Sequence, residues 1–320
     1  MKAIKIAILK LVFLLIVLIG TIAAYFVFTY EKTEDPAESI STATLPVITM
    51  KYREQNINVL NGYTNEMQGK YMRQELTPYG EDGTVTLDIE RYANVIAAIS
   101  YQVRSVDTER LIDSEEIKEW TTDGEDIYVT LNMSNIMKED TEYLLIINLV
   151  TETHGNVYYY VHLKNPSGQD IEKQLEFVYD FSRLTISKEV TEKYGAYLEY
   201  DPSTDSSNLA NVNIKSSYDN IQWGDLKVTR ATDPVVTIKE ILGNIGCYEL
   251  QYKVKAQDEY GTEEYYNVTE YFRLRTVSSG MYLDVYERKA NQIFNPNTQS
   301  VSSTRINLGL DDDLKIHYKT

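Results

Sequence analysis

Between Lys10 and Glu31 lie twenty residues, Leu11 to Tyr30, without a single charge, and this run limits the chain more than any other feature. At about 1.5 Å of rise per residue it makes roughly 30 Å of helix, the thickness of the hydrocarbon layer of a bilayer. Residues 11–30 are therefore expected to form a transmembrane helix, with the lipid bilayer as their partner. Lys2, Lys5 and Lys10 precede the run with no acid among the first thirty residues, and Glu31, Glu34, Asp35 and Glu38 follow it. The positive-inside rule then puts residues 1–10 in the cytoplasm and residues 31–320 outside the cell membrane. A cleaved signal peptide shares the basic start and apolar core, but its core usually runs about 7 to 15 residues and ends at a small-x-small site. Here Ile22-Ala23-Ala24 fits that site poorly and apolar residues continue through Tyr25, Phe26, Val27 and Phe28. No cysteine follows the core, which excludes a lipid-modified start.

Setting aside Lys2, Lys5 and Lys10 from the 31 basic residues leaves 28 against 48 acids, a formal charge of −20. Such a field repels phosphate backbones and anionic headgroups, so nucleic acid is not an expected partner, nor is peripheral adhesion to lipid. The single cysteine, Cys247, allows no intrachain disulfide; stability has to come from buried cores, which suits a bacterial envelope protein with sizeable domains. Asn132-Met-Ser134 and Asn267-Val-Thr269 satisfy the N-glycosylation triplet, a pattern frequent by chance.

A chain of roughly 290 residues beyond the membrane is long for one core and comfortable for two. Residues 31–45, rich in Glu, Thr, Ser and Ala, lack periodicity and read as a stalk. From 46 to 166 the pattern has period two, the mark of strands with one buried face. Val85, Leu87 and Ile89 alternate with Thr86, Asp88 and Glu90; Ile99, Tyr101 and Val103, then Ile127, Val129, Leu131 and Met133, then Val157, Tyr159, Val161 and Leu163 repeat the device. Tyr143 to Val150 is nearly all apolar, as a strand covered on both faces would be, and His154-Gly155-Asn156 turns it into the next strand as a hairpin. With Val47 to Tyr52 and Ile57 to Leu60, seven strands are expected. The natural architecture is an immunoglobulin- or fibronectin-like β-sandwich.

At Ser167 the period becomes helical. Ser167 with Asp170 forms a capping-box-like start, and Ile171, Leu175, Val178 and Phe181 fall on one face, although polar Gln174 and Ser182 interrupt it. A second helical patch covers Lys188 to Leu198, and Asp201 to Asn208 reads as a loop. Strands return as a meander: Val235 to Ile241, Tyr248 to Val254, Tyr266 to Leu274, and Met281 to Val285, separated by Gly243-Asn244, Glu259-Tyr260-Gly261 and Ser279-Gly280. Helices first and antiparallel strands after predict an α+β domain over 167–295, and the fold class expected of the whole is mainly β with an α+β part. Residues 296–320 form a C-terminal extension that ends in strand-like sequence, as the start of a truncated further module would.

In its element order the region from Ser167 to Phe294 resembles the nuclear-transport-factor-like rolls, in which helices pack inside a curved sheet; those rolls host many functions, so the resemblance implies a fold and no activity. The whole chain is similar to the N-terminal portion of large membrane-anchored envelope proteins of Gram-positive anaerobes. That likeness is carried by the anchor, by INVLNGYTNEMQGKYMR (Ile57 to Arg73), ISYQVRSVDTERLI (Ile99 to Ile112) and WGDLKVTRATDPVVTI (Trp223 to Ile238). It implies further strand modules downstream and no assigned activity.

No catalytic constellation stands out. His154, His162 and His317 are scattered, with no H-E-x-x-H and no cysteine beside them, whereas zinc needs three or four convergent ligands. There is no G-x-S-x-G and no Ser-x-x-Lys. Cys247 has no nearby histidine and is expected to be a small packing residue rather than a nucleophile. Asp311-Asp312-Asp313 and Asp201 to Asp205 depart from EF-hand spacing and read as solvated loops; Glu115 with Glu116 is one of many acid pairs among 48. No cofactor, metal site or catalytic residue is expected.

Tyrosine is the remaining signal, 27 of 320 residues and concentrated in strands. On the strand from Val157 to Leu163, Tyr158, Tyr160 and His162 share the face opposite Val157 and Val161, and are the expected interaction surface. An exposed tyrosine stacks on sugars or anchors a protein at small entropic cost, while cross-strand aromatic pairing gives such residues a purely structural use. The expected function is a single-pass, membrane-anchored extracytoplasmic protein that binds, braces or senses without catalysis, its partner an envelope protein or cell-wall glycan. The alternative is an envelope hydrolase with a carboxylate site in the α+β domain. A transmembrane sensor is disfavoured by the ten residues left inside the cell.

Overall fold

The computed structural model describes residues 10, 14–21, 45–53, 55–73, 75–79, 83–133, 138–166, 170–204, 208–257, 261 and 263–293. Within the expected membrane helix, residues 14–21 are helical (α1), with the Thr21 hydroxyl donating to the Leu18 carbonyl at 2.8 Å. The rest of 11–30, residues 31–44 of the stalk and the extension 296–320 lie outside the described residues. Among the described residues no helix is long and apolar enough to cross a membrane.

From Leu45 onward the chain is a separate compact unit and mainly β. Its first part runs β1 (Val47–Tyr52), β2 (Gln55–Leu60), β3 (Leu76–Pro78), β4 (Thr84–Glu90), β5 (Ile96–Ser105), β6 (Leu111–Ile117), β7 (Thr121–Asp123), β8 (Asp126–Asn132), β9 (Glu142–Thr151) and β10 (Gly155–Lys164). The seven expected strands are all present. Three more, β3, β6 and β7, escape periodicity for a physical reason. β6, LIDSEEI, and β7, TTD, are edge strands with no fully buried residue, and β3 spans only three residues, all buried. β9, the apolar run, is central in its sheet and buried along both faces.

The second part runs α2 (Ile171–Ser187), α3 (Val190–Tyr194), β11 (Asn211–Asn213), α4 (Tyr218–Ile221), β12 (Thr229–Arg230), β13 (Val235–Leu242), β14 (Ile245–Gln257), β15 (Glu263–Val277) and β16 (Gly280–Gln292). The cap of α2 is Asp170, whose carboxylate accepts the Lys173 backbone N–H at 3.1 Å; Ser167 lies outside the described residues. The helix ends at Lys188, in a left-handed conformation with φ 63°, its N–H returned to Leu184.

Two sheets result. A five-stranded one has the order β3-β10-β9-β5-β6; an eleven-stranded one runs β11-β16-β15-β14-β13-β2-β1-β4-β8-β7, with β12 on β14. The larger sheet therefore crosses from the first part of the chain into the second at β2 and β13, which meet in parallel at Ile57 and Val236. One continuous core joins Ile48, Leu87, Tyr101, Ile147 and Tyr159 of the first part to Leu175, Phe181, Leu250 and Phe272 of the second.

The crossing is held by a buried asparagine. Asn58 sits at a bulge of β2 with φ 48°, a left-handed conformation that asparagine tolerates better than most residues. Its amide nitrogen donates to the Leu76 carbonyl at 2.9 Å and the Thr77 hydroxyl at 2.8 Å, and its carbonyl oxygen accepts the Ile238 N–H at 2.8 Å. One side chain thus ties β2, β3 and β13 together.

The polar interruptions of the α2 stripe are buried and answered. Gln174 accepts the Tyr248 hydroxyl at 2.5 Å and donates to Thr276 at 2.8 Å, and the Ser182 hydroxyl receives Arg230 at 2.8 Å. Gly246 makes the first contact feasible, since a Cβ there would stand 2.6 Å from the Tyr248 hydroxyl.

Candidate functional site

Sequence patterning gives α2 an apolar inner face, so its charged residues are left on the outer flank. There Lys173, Glu176, Asp180 and Arg183 follow one another at three- and four-residue spacing. The reversal after Lys188 lays α3 and the following turn beside this flank. Tyr194 and Tyr197 then pack on Phe177 with ring centroids 4.6 and 5.2 Å away. Phe177 continues inward to Phe181 at 5.7 Å. Arg230 of β12, Tyr179 of α2 and Asn56 of β2 complete a groove of about 810 Å³. The Tyr179 hydroxyl donates to the Asn56 carbonyl at 3.0 Å.

The groove's charge opposes that of the chain. Lys173, Arg183, Lys193 and Arg230 line it against Glu176 and Asp180, with Lys173 paired to Asp170 at 2.5 Å from just outside, whereas the full sequence carries −17. Asp180 organises the cations: it accepts Arg183 at 2.5 Å, Lys193 at 2.6 Å and the Tyr194 hydroxyl at 2.9 Å. Burial pushes its carboxyl up, but the hydrogen bonds from Lys193, Arg183 and Tyr194 outweigh this and hold it at about 2. Arg183 and Lys193 remain largely exposed, at 60% and 57% of their side chains. Aromatic walls under accessible guanidinium and ammonium groups suit a ligand that carries negative charge on a partly apolar body.

Tyr158, Tyr160 and His162 do share one face of β10, but residues 61–73 cover most of it. Tyr63 exchanges backbone hydrogen bonds with Tyr158 at 2.9 and 2.8 Å, and its ring meets Tyr160 edge-on at 6.0 Å. The Tyr160 hydroxyl accepts the Met67 N–H at 2.7 Å. Tyr160 and His162 are 4% and 2% exposed and Tyr158 is half-buried. The His162 Nδ1 lies 2.5 Å from a Glu142 oxygen that also takes Arg73 at 3.0 Å. The hydrogen bond to His162 is the largest influence on Glu142; with Arg73 it overcomes burial and lowers the carboxyl to about 2.

The remaining sequence candidates are dispersed. Cys247 is buried. Asp201 folds onto Ser203, whose backbone N–H and hydroxyl it accepts at 2.9 and 2.8 Å, and Glu115 bonds the Tyr101 hydroxyl at 3.3 Å. His317 and Asp311 to Asp313 lie outside the described residues. Among the described residues no three His, Cys, Asp or Glu side chains converge as metal ligands.

Sequence reasoning missed the groove. Its aromatic residues and its charges lie on separate stretches of sequence with no shared motif; only the reversal at Lys188 and the distant Arg230 make them one surface. The chain matches no protein-family model and no curated protein sequence.

Proposed function

We propose that the chain is a single-pass, membrane-anchored extracytoplasmic binding or scaffold protein of the bacterial cell envelope, without catalytic activity of its own, and that the groove along α2 receives an anionic partner, an envelope protein or cell-wall glycan. The observation that carries this reading is the excess of accessible Lys and Arg around tyrosine and phenylalanine rings on a chain whose overall charge would repel such a partner. The uncharged run over 11–30 and the likeness to membrane-anchored envelope proteins supply the address.

For the fold we infer an immunoglobulin- or fibronectin-like sandwich over 46–166 and a helices-first roll over 167–295. Packing of Tyr101, Ile147 and Tyr159 of the smaller sheet with Ile48 and Leu87 of the larger supports the first, within a core that runs on into the second part of the chain, and α2 resting on the β13–β16 meander supports the second. Phe181, Phe272 and Tyr286 fill the space beneath α2, with ring centroids 4.8 to 5.6 Å apart, which favours a binding module over a hydrolase with a deep carboxylate pocket.

Crosslinking in intact cells, followed by identification of neighbours, tests the reading. Wild-type protein should capture an envelope component, and a double variant Arg183→Glu, Lys193→Glu should lose it. Capture of nothing from the envelope, or equal capture by the variant, would overturn it.

A further inference from the structure

On the face of the large sheet opposite α2 lies a second concavity, of about 640 Å³, with a different chemistry. Its floor is a grid of outward side chains on β13, β14 and β15, where Gln251 stands opposite Thr269, Lys253 opposite Asn267 and Thr237 opposite Glu249. Adjacent positions in such a grid are about 4.8 Å apart across strands and roughly 7 Å apart along one. The amides and hydroxyls therefore form a closely spaced array of donors and acceptors.

The charges around the grid nearly balance, Lys239 and Lys253 standing against Glu249, Asp233 and a part-neutral Glu75. Lys239 points outward like Thr237 two residues before it, and its ammonium lies 3.5 Å from Glu249. Gln251 also donates to Glu249 at 2.9 Å. Glu75 lines the same cleft; burial raises its carboxyl to about 7 although Lys239 pulls it down, so the acid is partly neutral near neutral pH. On β15 the outward row reads Tyr265, Asn267, Thr269, Tyr271, so an aromatic residue follows the polar pair on each side, just beyond the residues that line the cleft. Tyr265 is 37% exposed. The strands beneath are 13 and 15 residues long and pair throughout, a rigid support that loses little freedom when a ligand settles on it.

We propose that this cleft binds an uncharged oligosaccharide, with Gln251, Asn267 and Thr269 bonding sugar hydroxyls and Tyr265 and Tyr271 stacking on ring faces. Neutral amides and hydroxyls between aromatic platforms are the groups that recognise a polyol, and a nearly balanced lining gives little advantage to an ion. The site is separate from the cationic groove and does not depend on the reading given to it.

Titration calorimetry on the full chain, held in a detergent without a sugar headgroup, decides the matter with two probes, tetra-N-acetylchitotetraose and maltotetraose. At least one should bind with a dissociation constant on the order of 0.1 mM. The double variant Gln251→Ala, Asn267→Ala and the single variant Tyr265→Ala should each weaken it about tenfold or more, with thermal unfolding near wild type. Arg183→Glu, in the other groove, should leave it unchanged. Absence of heat with both probes, or wild-type affinity in folded Tyr265→Ala and in the folded double variant, would refute the proposal.

Discussion

The guanidinium of Arg288 lies 3.6 Å from the centre of the Trp223 ring, and neither side chain is open to water. From beneath that ring Arg288 donates to the carbonyls of Ile221 at 2.7 Å, Asn220 at 2.9 Å and Leu209 at 3.2 Å. It is the largest fully buried side chain among the described residues. One planar, permanently charged fork thus closes the end of α4 and the stretch just before β11 onto β16.

Arg288→Lys should therefore behave as a disruptive change. A single ammonium cannot stack on the indole and reach three carbonyls, so a loss of about 3 kcal/mol is expected, with Arg288→Ala at least as severe. Urea denaturation followed by circular dichroism measures both, and a lysine variant within about 0.5 kcal/mol of wild type would contradict the clamp.

Asn58→Ala should cost about 2–4 kcal/mol, because three hydrogen bonds vanish from a fully buried site while the Ile238 N–H and the Leu76 carbonyl each lose a partner. Since Asn58 joins β2 and β3 to β13, hydrogen exchange should rise on both sides of the crossing. Faster exchange confined to one side would argue against that joining role.

Two carboxyls should drive stability in opposite directions with pH. Glu142 titrates at about 2 in the fold against an ordinary 4.5, so its contribution is complete above pH 4.5 and disappears as pH falls towards 2. Glu75 titrates at about 7 against the same 4.5, so ionising it costs the folded state, and stability declines as pH rises from 4.5 to 7. Glu75→Gln should thus be more stable than wild type at pH 8, by about 1–2 kcal/mol after allowance for solvent screening, and equal to it at pH 4. Thermal scans across this range would expose the idea as mistaken if the two curves stayed parallel.

Asp180→Asn should sharpen the electrostatics of the α2 groove. It removes the carboxylate that holds Arg183 and Lys193, leaving the lining more positive. Capture of an anionic partner should strengthen at low salt and weaken more steeply as salt is added. Unchanged salt dependence would separate the groove from partner binding.

Local pattern was enough for the strands with one buried face and for α2, because alternation and helical spacing are properties of neighbouring residues. Val85 to Ile89 and Val157 to Leu163 declare their buried sides without knowledge of what covers them. The same logic failed at β6, where an edge strand has no apolar row to show, and at Tyr160 and His162, where period two correctly put both on one face but could not foresee that residues 61–73 would lie over it.

Contacts between distant residues decided the rest. Asn58 is a polar break in the strand Ile57 to Leu60 until Leu76, Thr77 and Ile238 surround it, and Gln174 and Ser182 look like faults in a helix until Tyr248 and Arg230 arrive. The α2 groove needs Arg230, 43 residues beyond the end of α2 at Ser187, and the opposite cleft needs Glu75 beside Lys239. Periodicity reports which side of an element avoids water; the identity of its neighbour depends on chain reversals and sheet order, whose energetics are spread over the whole core.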